Sequence, residues 1–399
     1  MRILDANGSY SSSGGGIRVY HLEKLRYFNG KPGHRAALVI PGPAETLPGT
    51  VGRVYGVRSV PLFSSGYGMM AAPGDLEAAV LDFVPDLVEI GSPYVLPHMT
   101  RRVLTGTGIP MVGFYHGDFP GSYVGPYARK IFPRRIASFL ERLAEKYAGW
   151  VYGDMTAVFA ASRFALEKLR SYGVTRLFHT PLGVDTARFT PEARSRAFRD
   201  ALGVPEEGTL VLYMARFHWE KGLDMLLKAY PMFRDPGRIV LAVAGRGPHY
   251  RLVKQFAERY PEIRLLGFIG DRDEVAGVMA SADVFLALGN YETFGLAALE
   301  AVSAGTIPVL SGAGASRELA CSLGLLDPFE PGDPESLART VKRAVFLSRQ
   351  VPAEVLREYA LDGRDWRDVF ERMEGFYRRI MEAAATGDVS SLEPEDGWW

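Results

Sequence analysis

Short apolar runs of strand length alternate with amphipathic helical segments along this chain, and the alternation occurs twice. In the first half the strand-like runs are Arg2 to Asp5, AALVI (Ala36 to Ile40), DLVEI (Asp86 to Ile90), PMVGFYH (Pro110 to His116) and TAVFA. Helical patterns such as Asp75 to Phe83 and Leu96 to Leu104 separate them, and a capped helix, SRFALEKLRSYG (Ser162 to Gly173), closes the half. The second half repeats the pattern with LVLYM (Leu210 to Met214), a helix after Lys221, IVLAVAG (Ile239 to Gly245), IRLLG (Ile263 to Gly267), VFLAL (Val284 to Leu288) and IPVL (Ile307 to Leu310). Parallel strands need crossovers long enough to hold a helix, so the pattern predicts an α/β fold of parallel sheets wrapped by helices. Between the halves, TPLGVDTARFTPEARSR (Thr180 to Arg196) carries Pro181, Gly183 and Pro191 and reads as a crossing between domains. We therefore expect domains over 1–185 and 186–363, a C-terminal helix over 364–386, and an acidic tail, 387–399, that is disordered.

Composition enters as a set of exclusions. The 399 residues supply material for two cores, and the 46 basic and 46 acidic side chains give no net charge that would point to nucleic acid. The single cysteine, Cys321, excludes an intrachain disulfide and a cysteine-based zinc site, and fits a reducing cytoplasm. MRILDANGSY lacks the apolar core of a secretory signal, and no apolar run reaches the ~18 residues of a membrane span.

Open parallel sheets place their chemistry at the carboxyl ends of their strands. There the second half carries Arg216 and Lys221 in ARFHWEKG, then AGRGP with Gly245 and Arg246, then Asp271 in GFIGD. The fourth strand leads into GNYETFGLAALEA, with Glu292 at a strand-to-helix turn and Thr293 expected as N-cap. The amides around Phe294, Gly295 and Leu296 would then face an anion. Glu300 follows Glu292 by eight positions, roughly 10 Å along a helix. By itself such a pair of acids is as readily explained by capping and solvation. Two cations, glycines and helix N-termini on one sheet edge instead describe a diphosphate site, with both glutamates left for hydroxyl-bearing groups. No carboxylate cluster of the kind that holds a magnesium ion accompanies them. In the first half, NGSYSSSGGG ends in Gly14, Gly15 and Gly16 before a helical pattern and is either a plain flexible loop or an anion pocket. His116 and Asp118 lie at a strand end in HGDFP and are candidate site residues by position.

The segment from Tyr127 to Trp150 interleaves Arg129, Lys130, Arg134, Arg135, Arg142 and Lys146 with aromatic residues. It reads as an ordinary amphipathic helix with a solvated basic face, or as a surface for an anionic membrane or a phosphorylated acceptor.

Taken in order and approximate spacing, GVDTARF, ARFHWEKG, AGRGP, SADVFLAL and ETFGLAALEA, with GGGIRVY and YHGDFP more loosely, resemble the retaining, nucleotide-sugar-dependent glycosyltransferases of family 4. The resemblance covers nearly the whole chain. It implies the GT-B fold: two facing Rossmann-like domains, a cleft between them, and a last helix returning to the first domain. It also implies that Arg216 and Lys221 neutralise the donor diphosphate, that Glu292 holds sugar hydroxyls and that Glu300 binds the ribose. His116 resembles the family's histidine beside the sugar, and Gly15 with Gly16 the loop that approaches the diphosphate. Many relatives have Pro-Ser where this chain has Gly289 and Asn290, which leaves Asn290 without an assigned role. The implied reaction is metal-independent front-face transfer of a hexose to a carbohydrate, glycolipid or phosphorylated acceptor, without a cofactor, in a cytoplasmic enzyme that is peripheral at the inner face of the membrane.

Asp271, with Asp273 close by, can accept both donors of a guanine edge, and YHGDFP resembles mannosyltransferases, so GDP-mannose is favoured over a UDP-sugar. Acids at this place also cap helices. Rival readings are a UDP-sugar-dependent transferase, a sugar-nucleotide epimerase and an inactive sugar-nucleotide-binding protein. A nicotinamide-dependent oxidoreductase is disfavoured because G-G-G-I-R-V is not a GxGxxG loop.

Overall fold

The computed structural model describes residues 1–10, 15–43, 52–62 and 67–392. Ser11 to Gly14, and the acidic tail from 393 onward, lie outside them. The chain divides into two compact units, one formed by Met1–Leu182 together with the chain from Trp366, the other by Gly183–Asp365.

In the first unit, β1 (Arg2–Ala6), α1 (Gly16–Gly30), β2 (Arg35–Pro41) and β3 (Arg53–Val57) precede a hairpin of β4 (Ser59–Leu62) and β5 (Tyr67–Met70). Then come α2 (Pro73–Phe83), β6 (Leu87–Ile90), α3 (Leu96–Leu104), β7 (Met111–Tyr115), α4 (Gly125–Ile131), α5 (Arg134–Gly153), β8 (Ala157–Ala160), α6 (Arg163–Ser171) and β9 (Leu177–His179). Seven parallel strands form a sheet in the order β3-β2-β1-β6-β7-β8-β9. The chain order reverses between β1 and β6, which makes that gap the switch point of the sheet.

The second unit runs α7 (Arg196–Ala201), β10 (Thr209–Met214), α8 (Leu223–Phe233), β11 (Ile239–Ala244), α9 (Tyr250–Arg259), β12 (Ile263–Gly267), α10 (Arg272–Ser281), β13 (Val284–Ala287) and α11 (Leu296–Ser303). It continues through β14 (Ile307–Leu310), α12 (Gly314–Leu323), α13 (Pro334–Leu347) and α14 (Ala353–Leu361). Its five parallel strands are ordered β12-β11-β10-β13-β14, with the switch between β10 and β13. Alternate residues of one strand feed opposite cores. Val211 and Tyr213 face one and Leu210 and Leu212 the other, and Leu241 and Val243 oppose Val240 and Ala242 in the same way. Burial on both faces is why these strands read as unbroken apolar runs.

The long helix α15 (Trp366–Thr386) belongs to the first unit. Its Phe370 and Tyr377 pack on Tyr20, Tyr27 and Phe28 of α1 with ring centroids 5.7–6.1 Å apart. Beneath them lies a buried polar cluster that no spacing in the sequence announces. Asp5 and Glu89 are register partners on β1 and β6. The Lys24 ammonium bridges them, 2.6 Å from Asp5 Oδ1 and 2.9 Å from Glu89 Oε1. Tyr20 and Tyr377 donate to Glu89. Asn7 Nδ2 donates to His21 Nε2 at 2.9 Å, which leaves Nδ1 to donate to Asp5 at 3.0 Å. Burial pushes the Glu89 carboxyl up despite Lys24, whereas at Asp5 the Lys24 and His21 contacts outweigh burial and hold it down. Removing Lys24 would strand two adjacent buried carboxylates, a change that typically costs about 3–5 kcal/mol.

The basic segment expected as one helix is broken. α4 ends at Ile131 and α5 begins after Phe132 and Pro133, whose ring supplies no amide for a continuous ladder. α5 has the expected amphipathic form with a solvated basic face, and apolar side chains share that face. α5 buries Ala137, Ala148 and Val151, while Phe139 (59% exposed), Leu143 (54%) and Trp150 (55%) face solvent beside the exposed Arg135, Arg142 and Lys146. Among the described residues no helix is long and apolar enough to cross a membrane. Within the tail, Val389–Ser391 form a 3-10 turn.

Glu374 anchors α15. Its carboxylate accepts from Lys31 at 2.6 Å and Arg378 at 2.5 Å, and lies 3.2 Å from His34 Nε2. Burial alone would raise its pKa, but the Lys31 and Arg378 hydrogen bonds win and bring it to about 2. A depressed carboxylate pKa stabilises the fold fully above the ordinary value of 4.5 and loses that contribution as pH falls towards about 2. Glu374→Gln should therefore lower the melting temperature at pH 7 by roughly 2–4 °C. The gap to wild type should close on acidification through that window, as followed by circular dichroism.

Candidate active site

The loops that leave β10 and β13 meet at the switch point of the second sheet, where a doubly wound sheet opens a crevice. Lys221 ends a 3-10 turn, Trp219–Lys221, and its carbonyl accepts the Tyr213 hydroxyl at 3.0 Å. Its ammonium reaches across the crevice to Glu292 Oε1 at 2.7 Å, with both side chains partly exposed. Arg216 leans on Glu220, Nη1 to Oε1 4.0 Å, and the same carboxylate lies 3.7 Å from His218 Nδ1. The loop after β11 is zipped to this one, because Phe217 N donates to the Arg246 carbonyl at 2.9 Å and Ala215 N to the Ala244 carbonyl at 3.1 Å, while Gly245 N donates to the Gly267 carbonyl at the end of β12 at 2.7 Å. A Cβ on Gly245 would stand 2.0 Å from the Ala215 carbonyl oxygen, so only glycine lets the two loops close. The Arg246 guanidinium lies over the Phe268 ring at 4.1 Å.

Thr293 is not the N-cap of α11. Gly295 is, with φ 92°, a left-handed conformation that a β-branched residue avoids. The helix therefore starts at Leu296, after Phe294 and Gly295. Glu292 stays in the loop, and Glu300 sits little more than one turn in, so a helical ruler does not measure their separation. Glu300 is 4% exposed and paired with Arg272 Nη2, a partner the sequence reading did not find. Asn290 gains a role: its Oδ1 accepts the Ser311 hydroxyl at 2.6 Å and ties this turn to the end of β14. Asp271 is the N-cap of α10, where Oδ1 accepts the amides of Asp273 and Glu274 at 2.9 Å each.

The first unit holds Gly15, Gly16 and His116. Gly15 is the N-cap of α1 and Gly16 its first residue, while Gly14 falls outside the described residues. His116 follows β7 directly. Its ring stacks on Phe114 at 4.5 Å, meets Tyr20 edge-on at 5.1 Å and lies 5.6 Å from the His21 ring. Asp118 turns inward instead. Its carboxylate accepts Tyr115 and Tyr172 hydroxyls at 3.0 Å and the Gly121 amide at 3.3 Å, so it shapes the turn.

Comparison with known proteins adds an independent line. Residues 194–360 match the family described as Glycosyl transferases group 1, and residues 14–188 match Glycosyltransferase Family 4. The chain is 29% identical over 352 residues to the GDP-mannose-dependent alpha-(1-6)-phosphatidylinositol dimannoside mannosyltransferase of Mycobacterium tuberculosis, covering 86% of this chain and 88% of that one. Among solved structures, sucrose-phosphate synthase from Thermosynechococcus elongatus aligns with a TM-score of 0.75 at 17% identity, over 96% of this chain and 100% of that one. HepE from Anabaena in complex with UDP aligns at 0.72 and 17%, over 95% and 100%. At such identities the likeness speaks to the fold.

Burial, with the Lys24 charge nearby, holds the His116 imidazole well below its ordinary pKa of 6.5. The neutral ring is thus the form present at physiological pH. Long-range 15N–1H spectra should show His116 still neutral at about pH 6, where an unperturbed imidazole is mostly protonated. A midpoint at the ordinary value would contradict this, with His116→Gln assigning the signal.

Proposed function

Since this chain belongs to the family 4 glycosyltransferases and has their GT-B fold, we propose that it transfers mannose from GDP-mannose to an acceptor hydroxyl, with retention and without a metal. The observation that carries this reading is the Lys221–Glu292 pair, 2.7 Å across the switch point of the second sheet. It sets a cation and a carboxylate side by side, as a sugar diphosphate requires. In the reaction the bond from the anomeric carbon to the diphosphate oxygen breaks. The acceptor oxygen bonds to that carbon on the same face, and its proton passes to the leaving phosphate. Negative charge grows on the diphosphate, and Lys221 and Arg216 stabilise it where they already stand. Glu292 accepts sugar hydroxyls and Glu300 accepts ribose hydroxyls. The amides of Gly245, Phe294, Gly295 and Leu296, with Arg246, serve the phosphates.

The choice of GDP-mannose leans on the mycobacterial relative, which is named for that donor. Asp271 adds less than its sequence position suggested, because its Oδ1 serves as a helix cap. A glycolipid acceptor, with peripheral attachment to the inner face of an anionic membrane, is favoured by α5, whose solvent-facing Phe139, Leu143 and Trp150 adjoin Arg135, Arg142 and Lys146. Apolar insertion and headgroup attraction then act together.

With radiolabelled GDP-mannose and a glycolipid acceptor, Lys221→Ala and Arg216→Ala should each lower the transfer rate by on the order of 100-fold. Wild-type transfer should survive EDTA. Near-normal activity in both variants, or metal-dependent rescue after chelation, would count against the mechanism, and faster turnover of a UDP-sugar would count against the donor.

Anionic phosphatidylglycerol vesicles should co-sediment the protein at low salt. Phosphatidylcholine vesicles should not, and Phe139→Ala with Leu143→Ala should weaken the association several-fold. No pelleting at low salt would dispose of the membrane surface.

A further inference from the structure

We propose that Arg272 is a positioning residue for the nucleotide's ribose: it fixes the Glu300 carboxylate so that the ribose hydroxyls meet an oriented acceptor. The inference rests on the ribose role of Glu300 given above and goes beyond it to a residue that the motifs do not contain.

Glu300 is 4% exposed on α11, where its carboxylate has little water to satisfy it. Arg272 Nη2 reaches Glu300 Oε1, and its guanidinium carbon stands over the Phe189 ring, 4.7 Å from the centroid. Phe189 is itself immobilised. It is wholly buried, and its carbonyl accepts Ser303 Oγ of α11 at 2.6 Å and Arg357 Nη1 of α14 at 3.2 Å. The residues on either side of Arg272 are fixed as well, Asp271 as the cap of α10 and Asp273 by Arg188 at 2.6 Å. A guanidinium held at its face by a ring and at its edge by a carboxylate has little rotamer freedom left to lose on binding.

A purely structural role would not call for charge. Buried ion pairs are commonly replaced by apolar residues of similar volume without loss of stability, and α11 otherwise buries Ala298, Leu299, Ala301 and Val302 beside Glu300. Arg272 also remains 29% exposed while its partner is buried, so the pair opens towards solvent on one side. An oriented carboxylate accepts two vicinal hydroxyls better than a rotating one. The gain should therefore appear with ribonucleotides and vanish when a ribose hydroxyl is absent.

The test is calorimetric binding of GDP, 2′-deoxy-GDP and 3′-deoxy-GDP, with the UDP series in parallel, to wild type, Arg272→Gln, Arg272→Lys, Glu300→Gln and the Arg272→Gln/Glu300→Gln double variant. Wild type should favour the ribonucleotide over at least one deoxy form by about 10–100-fold, the range for a hydrogen bond to a charged group. Arg272→Gln should cut that preference at least about 5-fold while binding the deoxy form within about 3-fold of wild type. The double variant should be no worse than Glu300→Gln alone, and Arg272→Lys should fall between. Equal weakening of ribo and deoxy forms by Arg272→Gln would mean that the guanidinium touches the ligand elsewhere or only supports the fold, and would overturn the proposal. So would a preference that survives the substitution. If wild type itself shows no preference, the ribose assignment of Glu300 fails and takes the proposal with it.

Discussion

A parallel strand cannot turn straight back into its neighbour, and in both units this one constraint places the chemistry. Each strand must hand over to a helix before the next begins, so every post-strand loop of a sheet emerges on the same edge. In the second unit the loops after β10 and β13 are pushed together at the reversal of strand order, and Lys221 meets Glu292 there. In the first unit the equivalent reversal lies between β1 and β6, and the sequence fills it with Asp5, Glu89 and the bridging Lys24. The same geometry yields an open, partly exposed pair in one sheet and a sealed, structural one in the other. What differs is cover, because Tyr20 and Tyr377 close over Glu89 while Lys221 and Glu292 stay within reach of water.

How much could be read beforehand follows from where each signal comes from. The interior strands were legible because burial on both faces leaves nothing but apolar residues in the run, as in IVLAVA. β3, RVYGV, was missed because an edge strand with one partner need not be apolar. The hairpin of β4 and β5 was missed because Pro61 and Gly68 interrupt its two short runs. Thr293 looked like a cap by residue preference, but the chain needed a left-handed residue there and used Gly295. The break between α4 and α5 was written in Pro133, and the apolar periodicity on either side masked it. For the site, the cations and glutamates were legible from their places after strands. Arg272 with Glu300, Phe189 under Arg272, and the Asp5–Lys24–Glu89 cluster were not, since each joins residues distant in sequence at no repeating interval.

Glycosyltransferase family models match both halves of the chain, residues 14–188 and 194–360, and its local physics is consistent with that chemistry. Lys221 is held by Glu292 while Arg216 leans on Glu220, so both cations after β10 are already fixed by carboxylates of the same unit. At His116, burial and the nearby Lys24 charge favour a ring that can donate and accept at once over one that only donates. The residues around it, Phe114, Tyr20 and His21, belong to the packed interior of the first unit, so the imidazole is presented by a rigid wall.

The return of α15 to the first unit bears on how the protein is made. The second unit is one continuous stretch, Gly183–Asp365, and holds all of its own strands and helices. The first unit is not continuous: the Tyr377 hydroxyl bound to Glu89 and the Glu374 carboxylate bound to Lys31 arrive only with the last part of the chain. During synthesis the amino-terminal sheet therefore emerges first but is covered only after the second unit has followed it, with Tyr20 and Phe28 lacking their α15 partners until that helix leaves the ribosome. A chain truncated before Trp366 would keep every strand of both sheets and still lack the lid over its most expensive buried charges.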